Sequence, residues 1–297
     1  MRRLIVNADD FGFTAGINRA IVEAHTRGIV TASTLMANGR AFEDAVRLAA
    51  TVPDLSVGCH VVLIDGAPVL DAEQLPSLTE THSSGPRFRD GIKAFAARAL
   101  TGRLDPNDIE DEATAQIRKL QSAGLNASHV DTHKHTHLFP AVLRPLLRAA
   151  RARGVHAIRN PFGPRKPLKS STLLTRPSLW TRYAEVRILR TLAAKFRDAA
   201  KREGLVTPDG TLGIVVTGAL DEKLFRAIAA SIPEGTWEFV CHPGYNDDDL
   251  KSSKTRLRQS RETELRVLTM PEARQLLLDQ GIALISYREL ALTETGA

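Results

Sequence analysis

Cysteine is the first scarcity: the 297 residues hold two, Cys59 and Cys241. Two thiols exclude a disulfide scaffold and a Cys-rich zinc site. Each directly precedes a histidine, in GCHVV and FVCHPG. On a strand each thiol would face opposite to that histidine, as a small core side chain. No apolar run approaches the roughly 20 residues that span a bilayer. Behind the opening MRR the apolar stretch LIV is three residues long, and a secretory signal needs about 7 to 15. The expected location is therefore cytoplasmic. No GxGxxG or GxxxxGK(S/T) turn follows a strand-like run, which argues against a nucleotide cofactor, and no GxSxG elbow offers a nucleophilic serine. Internal repeats, low-complexity tracts and a linker that would split the chain are absent too. At 43% hydrophobic and 25% charged residues, the chain reads as a soluble globular protein with ample core.

The net charge of +6 is local in origin. Between Arg144 and Arg202 stand 16 Lys and Arg against only Glu185 and Asp198, a net of +14, so the remainder carries −8. A uniformly basic nucleic-acid binder would not be divided in this way, and nucleic acid is not an expected partner. The segment reads either as a solvated helix face or as a patch for a phosphate-bearing or membrane-surface partner. From Leu179 onward, Leu179, Tyr183, Val186, Leu189, Ala193, Phe196 and Ala200 mark one apolar stripe, and arginines and lysines line much of the rest. Such a helix packs on the body of the protein or forms a homodimer contact. Alternatively, residues 179–202 lie on an anionic membrane at its inner face.

Short apolar runs alternate with helical patterns. The strand-like runs are RLIVNADD, IVTASTLMANG, LSVGCHVVL, ASHVDTHKH, HAIRNPF, TLGIVVTG, TWEFVCHPG and IALISY, eight in all. Helical spacing separates them, as in Ile17, Ala20, Ile21 and Ala24. Residues 64–89 read as a long loop, 163–178 as a Pro- and Lys-rich loop, 179–203 as a long helix and about 258–280 as another. Alternating βα units imply a parallel sheet with helices outside, and eight of them a single-domain (β/α) barrel over residues 1–297, a variant of the TIM barrel. Residues 163–203 are an insertion in it, and a doubly wound open sheet is the alternative.

In a parallel barrel the C-terminal strand ends converge on one face. The first candidate strand ends in Asp9 and Asp10, the third in His60, the fourth in Asp131, His133, His135 and His137, and the seventh in His242. Five of nine histidines and three aspartates thus point at one mouth. A carboxylate with two imidazoles from separate strands makes a mononuclear metal site. That ion is the expected cation that lets Asp9 sit beside Asp10, with one aspartate bound to it and the other free as a base. Successive histidines of HKHTH lie about 6.6 Å apart on an extended strand, so all three cannot reach one ion without a sharp bend. His133, nearest the strand body, is the favoured ligand. Asp131, His135 and His137, with Asn160 of the fifth strand, are left to contact substrate or support the site. His242, opposite the aspartates, is a candidate general acid.

NADDFG, GCHVVL, HVDTHKHTHLFP and CHPG, in this order, resemble the YdjC-like carbohydrate deacetylases, the family of chitooligosaccharide deacetylase. The resemblance implies a variant (β/α) barrel, one divalent metal ion and removal of acetyl groups from N-acetylated amino sugars. Carried over by position, the metal ligands fall on Asp10, His60 and His133, and the catalytic base on Asp9. Cys59 and Thr132 stand where relatives often carry other small or apolar residues, and neither is a ligand position. One branch of the family is linked to hopanoid biosynthesis and a glucosaminyl lipid substrate. THKHTHLFP and GAPVLDAEQLPSL resemble that branch, whereas CHPGYNDD resembles the general carbohydrate deacetylases. The mixed O and N ligands suit Zn2+, Mn2+, Co2+ or Ni2+, and Mg2+ if several waters remain. Two other classes stay open: a metal-dependent phosphoesterase, and a non-catalytic sugar- or nucleic-acid-binding protein on the same fold.

Overall fold

The computed structural model describes residues 1–295 except 84, 90, 167 and 169. Its spine is β1 (Arg2–Phe11), whose residues from Leu4 to Phe11 are all buried. A strand covered on both faces is the mark of a parallel sheet with helices outside. The chain then builds β2 (Ala32–Leu35), β3 (Ser56–Val61), the antiparallel hairpin β4 (Thr79–His82) and β5 (Gly85–Phe88), β6 (Val130–Thr132), β7 (Gly210–Leu212), β8 (Gly235–Cys241) and β9 (Ile282–Leu284). The main sheet has the order β6-β3-β2-β1-β8-β7, and every pairing in it is parallel.

Helices return the chain between strands. They are α1 (Ala15–Thr26), α2 (Phe42–Thr51), α3 (Ile92–Leu100), α4 (Pro106–Ser122), α5 (Pro140–Ala152), α6 (Ser170–Leu174), α7 (Trp180–Leu189), α8 (Ala193–Arg202), α9 (Glu222–Ala229), α10 (Asp248–Ser252), α11 (Gln259–Thr269), α12 (Glu272–Asp279) and α13 (Tyr287–Thr295). Local chemistry starts them: the Thr14 hydroxyl accepts from the Ile17 N–H, and Asp105 and Asp221 do the same for α4 and α9. The α1 stripe Ile17, Ala20, Ile21 and Ala24 is buried in the main core. Among the described residues no helix is long and apolar enough to cross a membrane.

The sheet curls, and its two edges are joined by irregular backbone. Isolated parallel bridges link Val130 to Ile158 and Ala157 to Val206, and the Thr211 N–H donates to the Phe162 carbonyl at 3.1 Å. The expected (β/α) barrel is therefore present in variant form, with fewer regular strands than the eight anticipated. The fifth candidate, HAIRNPF, forms only bridges because Pro161 has no N–H to donate. Asn160 supplies the missing bonds: its Nδ2 donates to the carbonyls of Pro208 and Asp209, and its Oδ1 accepts from the Phe162 N–H. The sixth shrinks to β7, because Gly213 takes φ 94 and a 3-10 turn follows. The eighth, β9, pairs only with Arg2–Leu4 at the foot of β1, below the point where β2 begins to pair.

Four further expectations change. Residues 64–89 contain the β4–β5 hairpin rather than a plain loop, with Ser84 outside the described residues. The 163–178 stretch contains α6, with Pro167 and Lys169 outside the described residues. The 258–280 helix is two, because Pro271 follows α11 and lacks the donor a continuous helix would need. The 179–203 helix is a rod of α7 and α8 joined by one 3-10 turn, Arg190–Leu192.

Candidate metal centre

The strand ends build the site. β1 carries Asp9 and Asp10 at its mouth end, where Asp10 takes the left-handed φ of 70. Non-glycine residues rarely hold this conformation, and it costs of order 1–3 kcal/mol unless the surroundings fix it. β3 contributes His60. β6 ends at Thr132, and the chain then bends through Lys134 and His135 at φ 55 and 54. The bend detaches His133 from the rest of the run. Asp10 Oδ1, His60 Nε2 and His133 Nδ1 form a triangle with sides of 3.7, 3.6 and 3.3 Å. Ligand atoms held at about 2.1 Å in regular coordination stand roughly 3.0 to 3.4 Å apart. The donor set and its spacing therefore fit one divalent ion after a small contraction.

Behind the triangle, Asp131 Oδ1 lies 2.7 Å from His60 Nδ1. This carboxylate turns the other imidazole nitrogen toward Asp10, as outer carboxylates do for metal-bound histidines. Burial alone would lower the His60 pKa, but the Asp131 carboxylate, with Asp9 and Asp10, overrides it and pushes the imidazole up to about 9.

Each aspartate of the opening pair has its own arginine. Arg159, fully buried, donates to both oxygens of Asp9 at 2.9 and 2.6 Å, to Glu238 Oε1 from two nitrogens at 2.9 and 2.7 Å, and pairs with Asp131. Arg261, also buried, pairs with Asp10 Oδ2. The expectation that a metal ion alone would offset the two neighbouring charges is thus corrected: two guanidinium groups already do so. Burial would raise the Asp9 carboxyl, but the Arg159 charge, with His60 and His242, holds it far below the usual range. Asp10 is held low in the same way, by Arg261 and His133 against burial. A second grouping, Asp9, His60 and Asp131, is close enough to suggest another ion. Arg159 already pairs with both of its carboxylates, so the arrangement favours a single metal.

His242 Nε2 stands 3.8 Å from Asp9 Oδ2, and the His242 N–H donates to Glu264 at 2.6 Å. Burial pushes the His242 pKa below its ordinary value despite Glu264 and Asp9. His135 and His137 are not part of the triangle, and their rings face each other edge to face at 6.2 Å. His137 Nδ1 is 2.6 Å from Thr132 Oγ1. Burial, then Arg159, takes His135 down to about 3, so it is neutral at physiological pH. The side-chain amide of Asn160 bonds to backbone at both its nitrogen and its oxygen, which makes it a brace of the wall. Cys59 and Cys241 are free and buried, and burial pushes both thiols up, out of the nucleophilic range.

A family model described as YdjC-like protein matches residues 3–279. The chain belongs to the YdjC-like family. It is 35% identical over 290 residues to a carbohydrate deacetylase of Geobacillus stearothermophilus, covering 97% of this chain and 98% of the relative. The carbohydrate deacetylase of Brevibacillus brevis is 33% identical over 290 residues, with 97% and 99% covered. Among solved structures, an Enterococcus faecalis protein provisionally described as a cellobiose-phosphate cleavage protein superimposes with a TM-score of 0.76 at 26% identity, covering 97% of this chain and 98% of that one.

In this YdjC-like chain, sequence reasoning missed Arg159, Glu238, Arg261 and Glu264. For the first two a signal existed. HAIRNPF and TWEFVCHPG each carry one charged side chain inside an apolar run. A strand of a parallel sheet is buried on both faces, so a lone Arg and a lone Glu there need each other. Arg261 and Glu264 sit on α11, whose pattern does not distinguish them from surface residues.

Proposed function

We propose that the protein is a cytoplasmic, metal-dependent deacetylase that hydrolyses the N-acetyl group of an N-acetylated amino sugar. The observation that carries this reading is the Asp10, His60 and His133 triangle beside an ionised, immobilised Asp9. The names of the relatives support the sugar and the acetyl group. Asp10, His60 and His133 would hold one divalent ion, Zn2+ or Mg2+, which when bound supplies a Lewis acid for the acetyl carbonyl and a more acidic water. Arg159 fixes Asp9, which accepts the proton of the attacking water. His242, neutral at rest, lies 3.8 Å from Asp9. It takes that proton and delivers it to the departing amine as the C–N bond breaks. Acetate and a free amino sugar leave. The substrate class includes N-acetylglucosamine in oligosaccharides and on glycolipids of the hopanoid type.

The test is acetate release from N-acetylglucosamine oligomers and from an N-acetylglucosaminyl lipid. Metal-loaded wild type is compared with Asp9→Asn and His133→Ala. Metal-dependent release that both substitutions abolish is expected. No release from either substrate across the divalent metals would overturn the reading.

A further inference from the structure

Most of the apolar stripe read from the sequence faces inward: Leu179, Ala193, Phe196 and Ala200 are buried, and Tyr183 and Val186 are half-buried, while Leu189 departs from it at 36% exposed. Two arginines of the rod, and Arg176 just before it, fasten this segment to the barrel. Arg176 pairs with Asp221, Arg182 donates to the Thr217 carbonyl and Arg190 to the Gly163 carbonyl. The opposite face is therefore held outward, and it is not a plain polar surface. Trp180, Ala184 and Ile188 follow at i, i+4 and i+8, one row along α7. Trp180 is 53% exposed and Ile188 70%, and Leu174 of α6 is 71% exposed. The indole N–H of Trp180 already donates to the Leu173 carbonyl at 2.7 Å, so the exposed ring offers apolar surface with no unmet donor.

One exposed cation, Arg187, stands on α7 with this row, and four more follow on α8. Arg187, Lys195, Arg197, Lys201 and Arg202 are exposed, and among the described residues none pairs with a carboxylate. Residues 163–203 carry 11 Lys and Arg against three Asp and Glu. An exposed aromatic and aliphatic row on a cationic segment fits a surface that is anionic outside and apolar a few ångströms in. A second copy fits poorly, because a two-fold contact would set this field against itself. Nucleic acid would use the charge but has little use for Leu174 and Ile188.

We infer that the outward face of α6 and α7 docks this protein on an anionic lipid surface, with Leu174, Trp180 and Ile188 entering the headgroup boundary. The inference is independent of the reaction proposed above.

The test is co-sedimentation with phosphatidylcholine vesicles, with and without phosphatidylglycerol. Binding is expected only to the anionic vesicles, and to weaken as salt rises. The chain's other tryptophan, Trp237, is 7% exposed and serves as an internal control. Brominated lipid should quench Trp180, and the bound Trp180→Phe variant should show no quenching. Each cation near such a surface is worth roughly fivefold in affinity, so Arg187→Glu with Lys195→Glu should weaken binding by at least about 25-fold. Trp180→Ala with Ile188→Ser should weaken it by at least about tenfold. The charge-reversed variant lies on the surface and should unfold thermally as wild type does; Trp180→Ala also removes the indole bond to the Leu173 carbonyl, so Ile188→Ser alone, which keeps that bond, should still weaken binding. The inference is overturned by absence of binding at low salt, or by equal binding to neutral vesicles. It is also overturned by preferential binding of RNA, or by a solution dimer that the charge reversals dissociate.

Discussion

Replacing Arg159 with methionine would strand Asp9, Asp131 and Glu238 in the barrel interior, each fully or almost fully buried. Removing one partner of a buried charge pair costs about 3 to 5 kcal/mol, because the remaining charge is left uncompensated. With three acceptors sharing one guanidinium, the upper end is expected. At roughly 2 to 4 °C per kcal/mol for a chain of this size, the melting temperature should fall by about 10 to 20 °C. The sign of the pH dependence sharpens the test. In wild type the Asp9 pKa is depressed, so its contribution is present above the ordinary carboxylate range and is lost only as pH falls below it. In the variant the stranded carboxyls titrate upward, so the folded form takes up protons and gains stability between about pH 7 and pH 5. Urea unfolding of metal-free protein at both ends of that range measures the difference. Adding Glu238→Gln removes one stranded charge and should recover part of the loss. A deficit under about 1 kcal/mol, or one that is the same at both pH values, would refute the claim that Arg159 neutralises this cluster.

Other outcomes follow from the same geometry. Asp131→Asn should weaken metal binding about 10- to 100-fold, measured by chelator competition, because His60 loses the carboxylate that orients it. Metal-free His60 is protonated up to about 9. Metal affinity should therefore rise about tenfold per pH unit through neutral pH and level off above 9, with proton release visible by calorimetry in buffers of different ionisation enthalpy. A flat affinity across that range would contradict it. His242→Gln should lower kcat by about 10²- to 10⁴-fold while leaving metal stoichiometry unchanged, and a variant that also loses metal would argue that His242 is a ligand. Wild-type activity should fall on the acid side of the ordinary histidine pKa, because His242 has to start neutral.

What the sequence disclosed was set by period and order. Apolar runs alternating with helical stripes specify a parallel barrel, and strand ends specify which side chains share its mouth. The limit that extended geometry places on HKHTH leaves one ligand in the run; the bend that Lys134 and His135 make at positive φ is not written in its pattern. What stayed hidden was pairing over distance. Asp9 and Arg159 lie 150 positions apart, and Asp10 and Arg261 lie 251 apart. No local pattern encodes such a bond; only the closure of the barrel brings the partners together. This difference bears on how the site works. Had a metal ion been the sole counter-charge, the two aspartates would repel one another without it and the β1 terminus would be unsettled. With a guanidinium on each, Asp9 is aimed before any ion arrives, and Asp10 keeps its Oδ1 toward His60 and His133 while its Oδ2 is held by Arg261. In the proposed reaction, little of the ion's binding free energy would then be spent on ordering Asp10, His60 and His133, and Asp9 would stay in register with His242 whether or not the ion is bound.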